Sequence, residues 1–282
     1  TIANSNPWLT LVRNGMQAKV KTMKGVDAQF EDAQDDIGRQ LSHIQNFIAQ
    51  KVDAIVVVTV DSQATPKMTK MATDAGIPLV YVNHPPVDKT LPAKVSFVGS
   101  NEVDSGTMQT KEVCKLLKGK GDILLIIGDL SNESALQRTQ DVKDVIAKPP
   151  CNGMKIVDAQ AATWSRTQAA DLMNNWLSAG RKFDAVISNN DEMAIGAIQS
   201  LKAAGKMKKD TIVAGIDATR DALASMKAGE LKVTVFQDAY GQGGGGVEAA
   251  VKLARGEKVP SNVWIPFELV TPANVDKYLS KN

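Results

Sequence analysis

The chain has 282 residues, of which 43% are hydrophobic and 23% are charged, and this balance excludes an intrinsically disordered chain. Its length predicts two domains of about 140 residues each. The 33 basic and 31 acidic residues are interspersed and give a net charge of +2, so there is no basic tract of the kind that binds nucleic acid.

The first third of the chain alternates between strand and helix patterns. Residues 1–4 predict a first strand so short that we expect further residues upstream of Thr1. Apolar residues recur at helical spacing over 37–48. Residues 52–60 form a continuous β-branched run, which is typical of a strand buried on both faces. A helix that ends at Gly76 and a strand over 77–82 follow.

The same alternation continues through the rest of the chain. Strands are predicted over 122–127, 155–158, 183–188, 211–216 and 231–236, with helices over 134–147, 172–177, 193–204 and 222–228. The run KVDAIV at 51–56 is echoed by KFDAVI at 182–187, which indicates a diverged duplication. The prediction is therefore an α/β protein of two similar Rossmann-like lobes, each with a parallel sheet flanked by helices.

Polar residues follow the predicted strands at their carboxyl ends, where open parallel sheets bind ligands. They are Asn6, Asp61, Asn83, His84, Asn189, Asn190, Asp191 and Asp217. Two lobes that face each other would line a cleft with these side chains.

Metal and cofactor motifs are not apparent. Cys114 and Cys151 are the only cysteines, and two interpretations stay open for them: two buried thiols, or one disulfide. The two histidines stand far apart, so no metal site is expected. Residues 241–246 satisfy G-x-G-x-x-G, but no acidic residue follows about 20 positions later, so we expect a flexible crossover that opens a helix.

Two tryptophans are candidate ligand platforms. Trp8 and Trp164 stand in polar runs beside strand ends, whereas Trp176 lies on an apolar helical stripe and is expected in the core. A pair of aromatic planes can hold the C–H faces of a sugar or cyclitol ring. Arg138 and Arg166 are alternative donors to its hydroxyl groups, although either could be an ordinary surface residue. No nucleophile accompanies a general base, so no enzyme is predicted.

Several stretches of the sequence are characteristic of one protein family when they occur together. They are residues 5–9 (SNPWL), 45–56, 75–78, 189–197, 215–218 and 226–230. Together they resemble the type I periplasmic sugar-binding proteins of ABC importers, in the ribose-binding cluster. The resemblance implies a hinge of three segments near Asp104, residues 237–238 and Glu268. The lobes would then comprise residues 1–104 with 238–268, and residues 105–237 with 269–282.

The resemblance also implies a set of ligand-binding residues. They are Asn6, Trp8, Asn83, His84, Arg138, Trp164, Asn190, Asp217 and Gln237. Leu9 stands where the family has a second aromatic residue, and Asn83–His84 replaces the Asp–Arg pair of ribose binders, which disfavours ribose itself. Residues 132–138, 163–166, 217–219, 235–238 and 264–272 are similar to an inositol- or rhizopine-binding subgroup.

The function implied by this resemblance is the solute-binding component of an ABC transporter. It would be a periplasmic monomer, exported with its signal peptide removed, and it would bind a small neutral cyclitol such as myo-inositol, or a related monosaccharide, in the cleft between the lobes. Closure of the hinge would then present the ligand to the permease in the inner membrane. The alternatives are a pentose, hexose or alditol binder, for example of ribose or arabinose, and the ligand-sensing domain of a LacI-type regulator.

Overall fold

The computed structural model describes residues 1–3 and 6–281 and divides into two compact units. Unit 1 comprises Thr1–Ser100, Ser131–Glu133 and Asp238–Pro266, and unit 2 comprises Asn101–Leu130, Ser134–Gln237 and Phe267–Asn282. The short segment Ser131–Glu133 groups with unit 1, whereas the lobe bounds implied by the resemblance put it in the second lobe. None of the helices in the described residues has the length and apolar character that a membrane span requires.

Helices and strands alternate along nearly the whole chain. The helices are α1 (Pro7–Thr22), α2 (Ile37–Ala49), α3 (Thr65–Asp74), α4 (Glu102–Leu116), α5 (Glu133–Ile146), α6 (Arg166–Ser178), α7 (Asp191–Ala203), α8 (Arg220–Lys227) and α9 (Ala239–Ala254). The strands are β1 (Ile55–Val57), β2 (Leu79–Val82), β3 (Val95–Gly99), β4 (Lys120–Ile127), β5 (Gly153–Ala161), β6 (Ala185–Ser188), β7 (Ile212–Ala214), β8 (Thr234–Phe236), β9 (Asn262–Trp264) and β10 (Glu268–Val270).

The sheet of unit 1 is parallel and has the order β1-β2-β3-β9. Every residue of β2 and β3 is buried, which explains their apolar composition. Beside β1, Ile2 forms a parallel bridge with Asp32, so the predicted first strand is present there as a short extended segment. Asn4, the last residue of that prediction, lies outside the described residues.

Unit 2 has a parallel sheet of the order β5-β4-β6-β7, and β8 pairs with β10 in an antiparallel ladder. The prediction of parallel sheets flanked by helices is confirmed. Trp176 is buried in the core of this unit, as its apolar stripe predicts.

Cys114 and Cys151 form a disulfide within unit 2, with a Cα–Cα distance of 5.6 Å. It joins the end of α4 to the turn that precedes β5. Both residues are buried against the apolar side chains of β4 and β6. The disulfide is therefore the correct one of the two interpretations that the sequence left open.

The glycine tract is helical, so the prediction of a flexible crossover is wrong: residues 241–246 lie inside α9. Close packing against α1 explains the glycine at 243. A Cβ at Gly243 would overlap the carbonyl oxygen of Val12 and would lie 2.9 Å from the Met16 nitrogen. From the other side, a Cβ at Gly15 would lie 2.7 Å from the Cα of Tyr240. At Gly243 and Gly15 the two helices thus come too close for side chains.

Two neighbouring glycines of α9 provide a matched test of this packing. Gly243→Ala should lower the free energy of unfolding by about 1–2 kcal/mol, because overpacking outweighs the gain in helix propensity. Gly244→Ala should raise it by up to about 1 kcal/mol, since its Cβ would make only ordinary contact, 3.6 Å from the Lys19 Cβ. Urea unfolding of both variants checks the difference, and equal effects would contradict it.

Candidate functional site

Arg138 is the centre of a buried polar cluster in unit 2. It lies on α5 and is only 4% exposed. Its Nε donates to Glu102 Oε2 at 2.9 Å, and its Nη1 donates to the backbone oxygen of Asn189 at 2.9 Å. Longer contacts of 3.4 Å run from Nη2 to Glu102 Oε1 and to Gln237 Oε1. These contacts use four of the five N–H donors of the guanidinium, which leaves one hydrogen on Nη1 to meet a ligand.

Glu102 holds the Arg138 side chain in place. Both side chains are buried, so this ion pair is shielded from water. Glu102 Oε1 also accepts from the Ser134 hydroxyl at 2.9 Å, which fixes the carboxylate from the other side. Burial by itself lowers the pKa of Arg138, but the carboxylates of Glu102, Asp217 and Asp141 together raise it, so the guanidinium stays charged.

The indole ring of Trp164 lies beside Arg138. The Arg138 Cζ is 5.8 Å from the ring centroid, a distance at which a cation interacts favourably with the face of an indole. Residues Thr163 and Trp164 both have positive φ, at 44° and 63°, in the turn after β5. A Cβ at Gly128 would overlap the ring, so glycine is required there to let the indole lie against the backbone.

Asn190 is the N-cap of α7 and is 7% exposed. Its Oδ1 accepts from the Met193 nitrogen at 3.0 Å. A ligand contact from this side chain would therefore come from its amide nitrogen, as a donor. The preceding Asn189 is fully buried, and its Oδ1 accepts from the Gly128 nitrogen at 3.0 Å. Among the described residues, no partner accepts from its Nδ2.

Asp217 follows β7 in an unusual backbone conformation, with φ at 127°, and Ala218 follows at 52°. Asp191 fixes this turn, because its Oδ2 accepts from the Thr219 nitrogen at 2.9 Å and its Oδ1 accepts from the Thr234 hydroxyl at 2.8 Å. Burial raises the pKa of Asp191 to about 7. Burial also raises the pKa of Asp217 well above its usual range, although the Arg138 charge acts in the opposite direction. Both carboxyls are thus taken out of water.

Two predicted ligand residues of unit 1, Asn6 and Trp8, lie at the start of α1. Asn6 caps the helix, with its Oδ1 accepting from the Leu9 nitrogen at 2.8 Å. Trp8 is 6% exposed and packs in a core cluster with Val12 and Val247, so the prediction that it lies off an apolar helix face is wrong. Its indole Nε1 is buried without a hydrogen-bond partner among the described residues. Ser5, in the same motif, lies outside them.

Asn83 and His84 follow β2 in unit 1. Asn83 has a φ of 65°, and its Nδ2 donates to Gln242 Oε1 at 3.1 Å. His84 Nδ1 lies 2.7 Å from the Thr59 carbonyl oxygen. Because a carbonyl oxygen only accepts, Nδ1 carries a hydrogen and donates it to Thr59.

Arg166, the alternative guanidinium, is held by two carboxylates. Its Nε and Nη2 donate to Glu192 at 2.9 and 2.8 Å, and Nη2 also donates to Asp221 at 2.7 Å. Hydrogen bonds to Glu192 raise its pKa. These contacts use three of the five N–H donors of the guanidinium and fix it against two carboxylates of unit 2.

The sequence profile of the periplasmic binding protein domain matches residues 2–258. The chain belongs to the periplasmic binding protein family. A protein of Rhizobium meliloti named as a putative rhizopine-binding protein is 61% identical over 274 residues, which cover 97% of this chain and 89% of the relative.

Solved structures of this family agree with the fold. An ABC transporter solute-binding protein from Bacillus halodurans C-125, with bound myo-inositol, is 42% identical and has a TM-score of 0.95 over 100% of this chain and 96% of that chain. A Caulobacter myo-inositol binding protein, bound to myo-inositol, is 27% identical, with a TM-score of 0.91 over 98% of this chain and 93% of that chain. The recognition of a type I periplasmic sugar-binding fold is therefore confirmed.

Within unit 2, the structure brings Arg138, Trp164 and Gln237 together, and the charge of Arg138 acts on Asp217. Sequence reasoning missed Glu102, because nothing in a lone acidic residue at the start of α4 indicates that it pairs with an arginine of α5. In the part of the chain that the structure describes, no three histidine, cysteine, aspartate or glutamate side chains are grouped so that they could hold a metal ion.

Proposed function

We propose that this chain is the solute-binding component of an ABC importer and that its ligand is a cyclitol such as myo-inositol, or a closely related monosaccharide. The observation that carries the proposal is the 42% identity and the TM-score of 0.95 to the solute-binding protein with bound myo-inositol. The relative named for rhizopine binding supports the same ligand class.

The side chains of unit 2 suit a neutral ring with many hydroxyl groups. Arg138 and Asn190 offer donors, the carboxyl group of Asp217 offers an acceptor oxygen, and the Trp164 indole offers an apolar plane for C–H groups. A hydrogen bond to a charged group contributes about 1.5–3 kcal/mol, and a wrong epimer would leave such a group without its partner. Gln237 would support the site through Arg138.

Unit 1 would contribute Asn6, Trp8, Asn83 and His84. A neutral His84 would offer Nε2 as an acceptor, because Nδ1 faces the Thr59 carbonyl. The buried Trp8 Nε1 would serve as a hydrogen-bond donor. The ligand would be bound and released unchanged, and no residue is assigned a catalytic role.

The proposed setting follows from the family. Its members are periplasmic binding proteins, and we infer a monomer that is exported by a signal peptide and delivers its ligand to a permease in the inner membrane. Ligand-dependent closure of the family's hinge would give the permease a shape to recognise.

A calorimetric titration panel tests the ligand class. The panel comprises myo-inositol, other inositols, ribose, arabinose and xylitol. We expect an inositol to bind most tightly and to be recovered unaltered from the mixture. Tighter binding of a pentose or of xylitol would overturn the cyclitol assignment, and conversion of the ligand would overturn the transport role.

Trp164→Ala tests the indole plane in unit 2. We expect affinity for myo-inositol to fall at least tenfold, which corresponds to about 1.4 kcal/mol, because the plane against the ring is lost. Trp264→Ala is the matched control, since this tryptophan is 54% exposed on β9 of unit 1. Equal affinities of the two variants, measured by calorimetry, would remove Trp164 from the site.

A further inference from the structure

The segments that lead into the strands of unit 2 carry an excess of basic residues. Each runs from the end of a helix to the first residue of the next strand, and the five of them are residues 117–120, 147–153, 179–185, 204–212 and 228–234. Together they contain nine basic and three acidic residues, a net charge of +6, whereas the rest of the chain contains 24 basic and 28 acidic residues. The fold therefore collects a basic surface that no single stretch of the sequence displays.

These five segments lie side by side at one edge of the sheet of unit 2. The parallel order β5-β4-β6-β7 makes neighbours of the first four. The fifth lies next to the segment before β7, because the Gly215 nitrogen donates to the Val233 oxygen and the Lys232 nitrogen donates to the Val213 oxygen, both at 2.9 Å. Since neighbouring strands are about 4.8 Å apart, the five segments share an edge about 20 Å wide. We call this edge the lysine edge.

Most of the basic side chains of the lysine edge are not engaged by the protein. Arg181 pairs with Asp158 at 3.0 Å, and Lys232 Nζ donates to the Gly229 oxygen at 2.5 Å. The other seven are exposed lysines that form no ion pair within the part of the chain that the structure describes. They are Lys118, Lys120, Lys148, Lys182, Lys206, Lys208 and Lys209.

The acidic side chains around this edge are largely engaged. Glu230 pairs with Lys202 of α7, and Glu112 pairs with Lys115 of α4. The Asp184 carboxylate accepts from the Asp122 nitrogen at 2.7 Å. The positive charge of the seven lysines is therefore displayed to the surroundings.

The equivalent segments of unit 1 do not share this charge. Those that run from a helix to the first residue of a strand are residues 50–55, 75–79 and 255–262, and they contain three basic and two acidic residues. Both units have the same arrangement of strands and helices, so the fold itself does not require a basic edge. The excess is a particular property of unit 2.

The residue types at the lysine edge indicate the kind of partner. Leu116, the last residue of α4, is 42% exposed, and Pro149 and Pro150 are exposed before β5. Lysines beside exposed apolar side chains suit the headgroup region of an anionic bilayer. The aromatic residue of the five segments, Phe183, packs against the core and offers no plane for a nucleic acid base. Eight of the nine basic residues are lysines, which attract an anionic surface without the bidentate geometry of arginine.

We propose that the lysine edge of unit 2 is a docking surface for an anionic phospholipid bilayer. The exposed lysines lie near the lipid phosphates, and Leu116 enters the headgroup region. The candidate ligand residues Trp164, Asn190 and Asp217 follow the carboxyl ends of the strands, at the opposite edge of the same sheet. Docking therefore leaves these residues uncovered. Because the attraction is electrostatic and lies at an exposed surface, salt weakens it.

Sedimentation with vesicles tests the proposal. The vesicles contain phosphatidylglycerol mixed with phosphatidylcholine, and vesicles of phosphatidylcholine alone are the neutral control. We expect the wild-type protein to sediment with the anionic vesicles alone at about 50 mM salt, and to be released as the salt concentration rises.

Two triple variants separate this edge from the net charge of the chain. The first removes three charges of the lysine edge, with the substitutions Lys206→Gln, Lys208→Gln and Lys209→Gln. The matched control removes three exposed lysines of unit 1 that form no ion pair among the described residues, with the substitutions Lys24→Gln, Lys67→Gln and Lys258→Gln. We expect the first to bind anionic vesicles at least tenfold more weakly than the control. A second variant of the edge, with Lys118→Gln, Lys120→Gln and Lys148→Gln, is read in the same way.

Three results would overturn the assignment. One is the absence of wild-type protein from the sedimented anionic vesicles. Another is equal weakening in the variants of the edge and in the control, because net charge would then be the cause. The third is binding of a single-stranded oligonucleotide at a salt concentration that abolishes binding to vesicles. Titration of the same proteins with myo-inositol reports on the polyol site alone, so failure of one proposal is distinguishable from failure of the other.

Discussion

Replacing Glu102 by alanine is expected to lower the free energy of unfolding by about 3–5 kcal/mol. The variant leaves the Arg138 guanidinium buried at 4% exposure without the carboxylate that its Nε contacts at 2.9 Å. The side chain cannot easily lose its charge, because a guanidinium keeps its proton throughout the accessible pH range. Removal of this partner therefore exposes much of the desolvation penalty of Arg138, with the Asp217 and Asp141 charges left to offset part of it.

The double variant Glu102→Met with Arg138→Met tests whether the loss of stability in Glu102→Ala comes from leaving the Arg138 charge buried without its partner. We expect it to be more stable than Glu102→Ala, because it removes both buried charges and keeps much of the side-chain volume. Glu192→Ala is the matched control: its partner Arg166 is about a third exposed and keeps Asp221, so the loss should stay within about 1 kcal/mol. Urea unfolding measures all three variants, and a loss of less than about 1 kcal/mol in Glu102→Ala would contradict the account.

Glu102→Gln addresses ligand binding rather than stability. Glutamine keeps one oxygen, which can accept from Arg138 Nε while its NH2 group faces the Ser134 hydroxyl, but it removes the negative charge that orients the guanidinium. We expect weaker binding of myo-inositol by a protein that is still folded. Unchanged affinity would show that Arg138 keeps its geometry without the charge.

The elements that the sequence predicted best are those whose apolar residues follow a regular pattern along the chain. The β-branched run at 52–60 predicts a buried strand, and β1 lies within it. The strand β9 has no such pattern, since its three residues include exposed Asn262 and Trp264 at the edge of the sheet. The antiparallel pairing of β10 with β8 depends on contacts between residues far apart in sequence, which periodicity does not report.

Two local predictions failed because tertiary packing overrode intrinsic preference. Glycine disfavours helix by about 1 kcal/mol relative to alanine, so the tract at 241–246 predicts a loop, yet the contact of Gly243 with α1 demands a residue without a side chain. The polar neighbours of Trp8 favour a position off the apolar face of its helix, yet its ring packs in the core. The partner of Arg138 was missed for a different reason: Glu102 lies 36 residues away in sequence, and no local pattern connects the two residues.

Loss of the Cys114–Cys151 disulfide is expected to destabilise unit 2 by roughly 3–4 kcal/mol. In the chain-entropy account, a crosslink with a sequence separation of 37 residues removes much of the freedom of the unfolded chain. At about 2–4 °C per kcal/mol, Tm should fall by about 10 °C when a reductant is added. Comparison of oxidised and reduced wild-type protein isolates the crosslink, because both sulfur atoms remain in the core.

The variant Cys114→Ala with Cys151→Ala is the control for the reductant itself. It should unfold at the same temperature with or without reductant, and somewhat below the reduced wild-type protein, because the two missing sulfurs leave space in a packed core. Hydrogen exchange should place the loss in unit 2, around the end of α4 and the start of β5, with unit 1 unaffected. An equal Tm for oxidised and reduced wild-type protein would show that the folded structure, rather than the covalent link, determines the stability of this region.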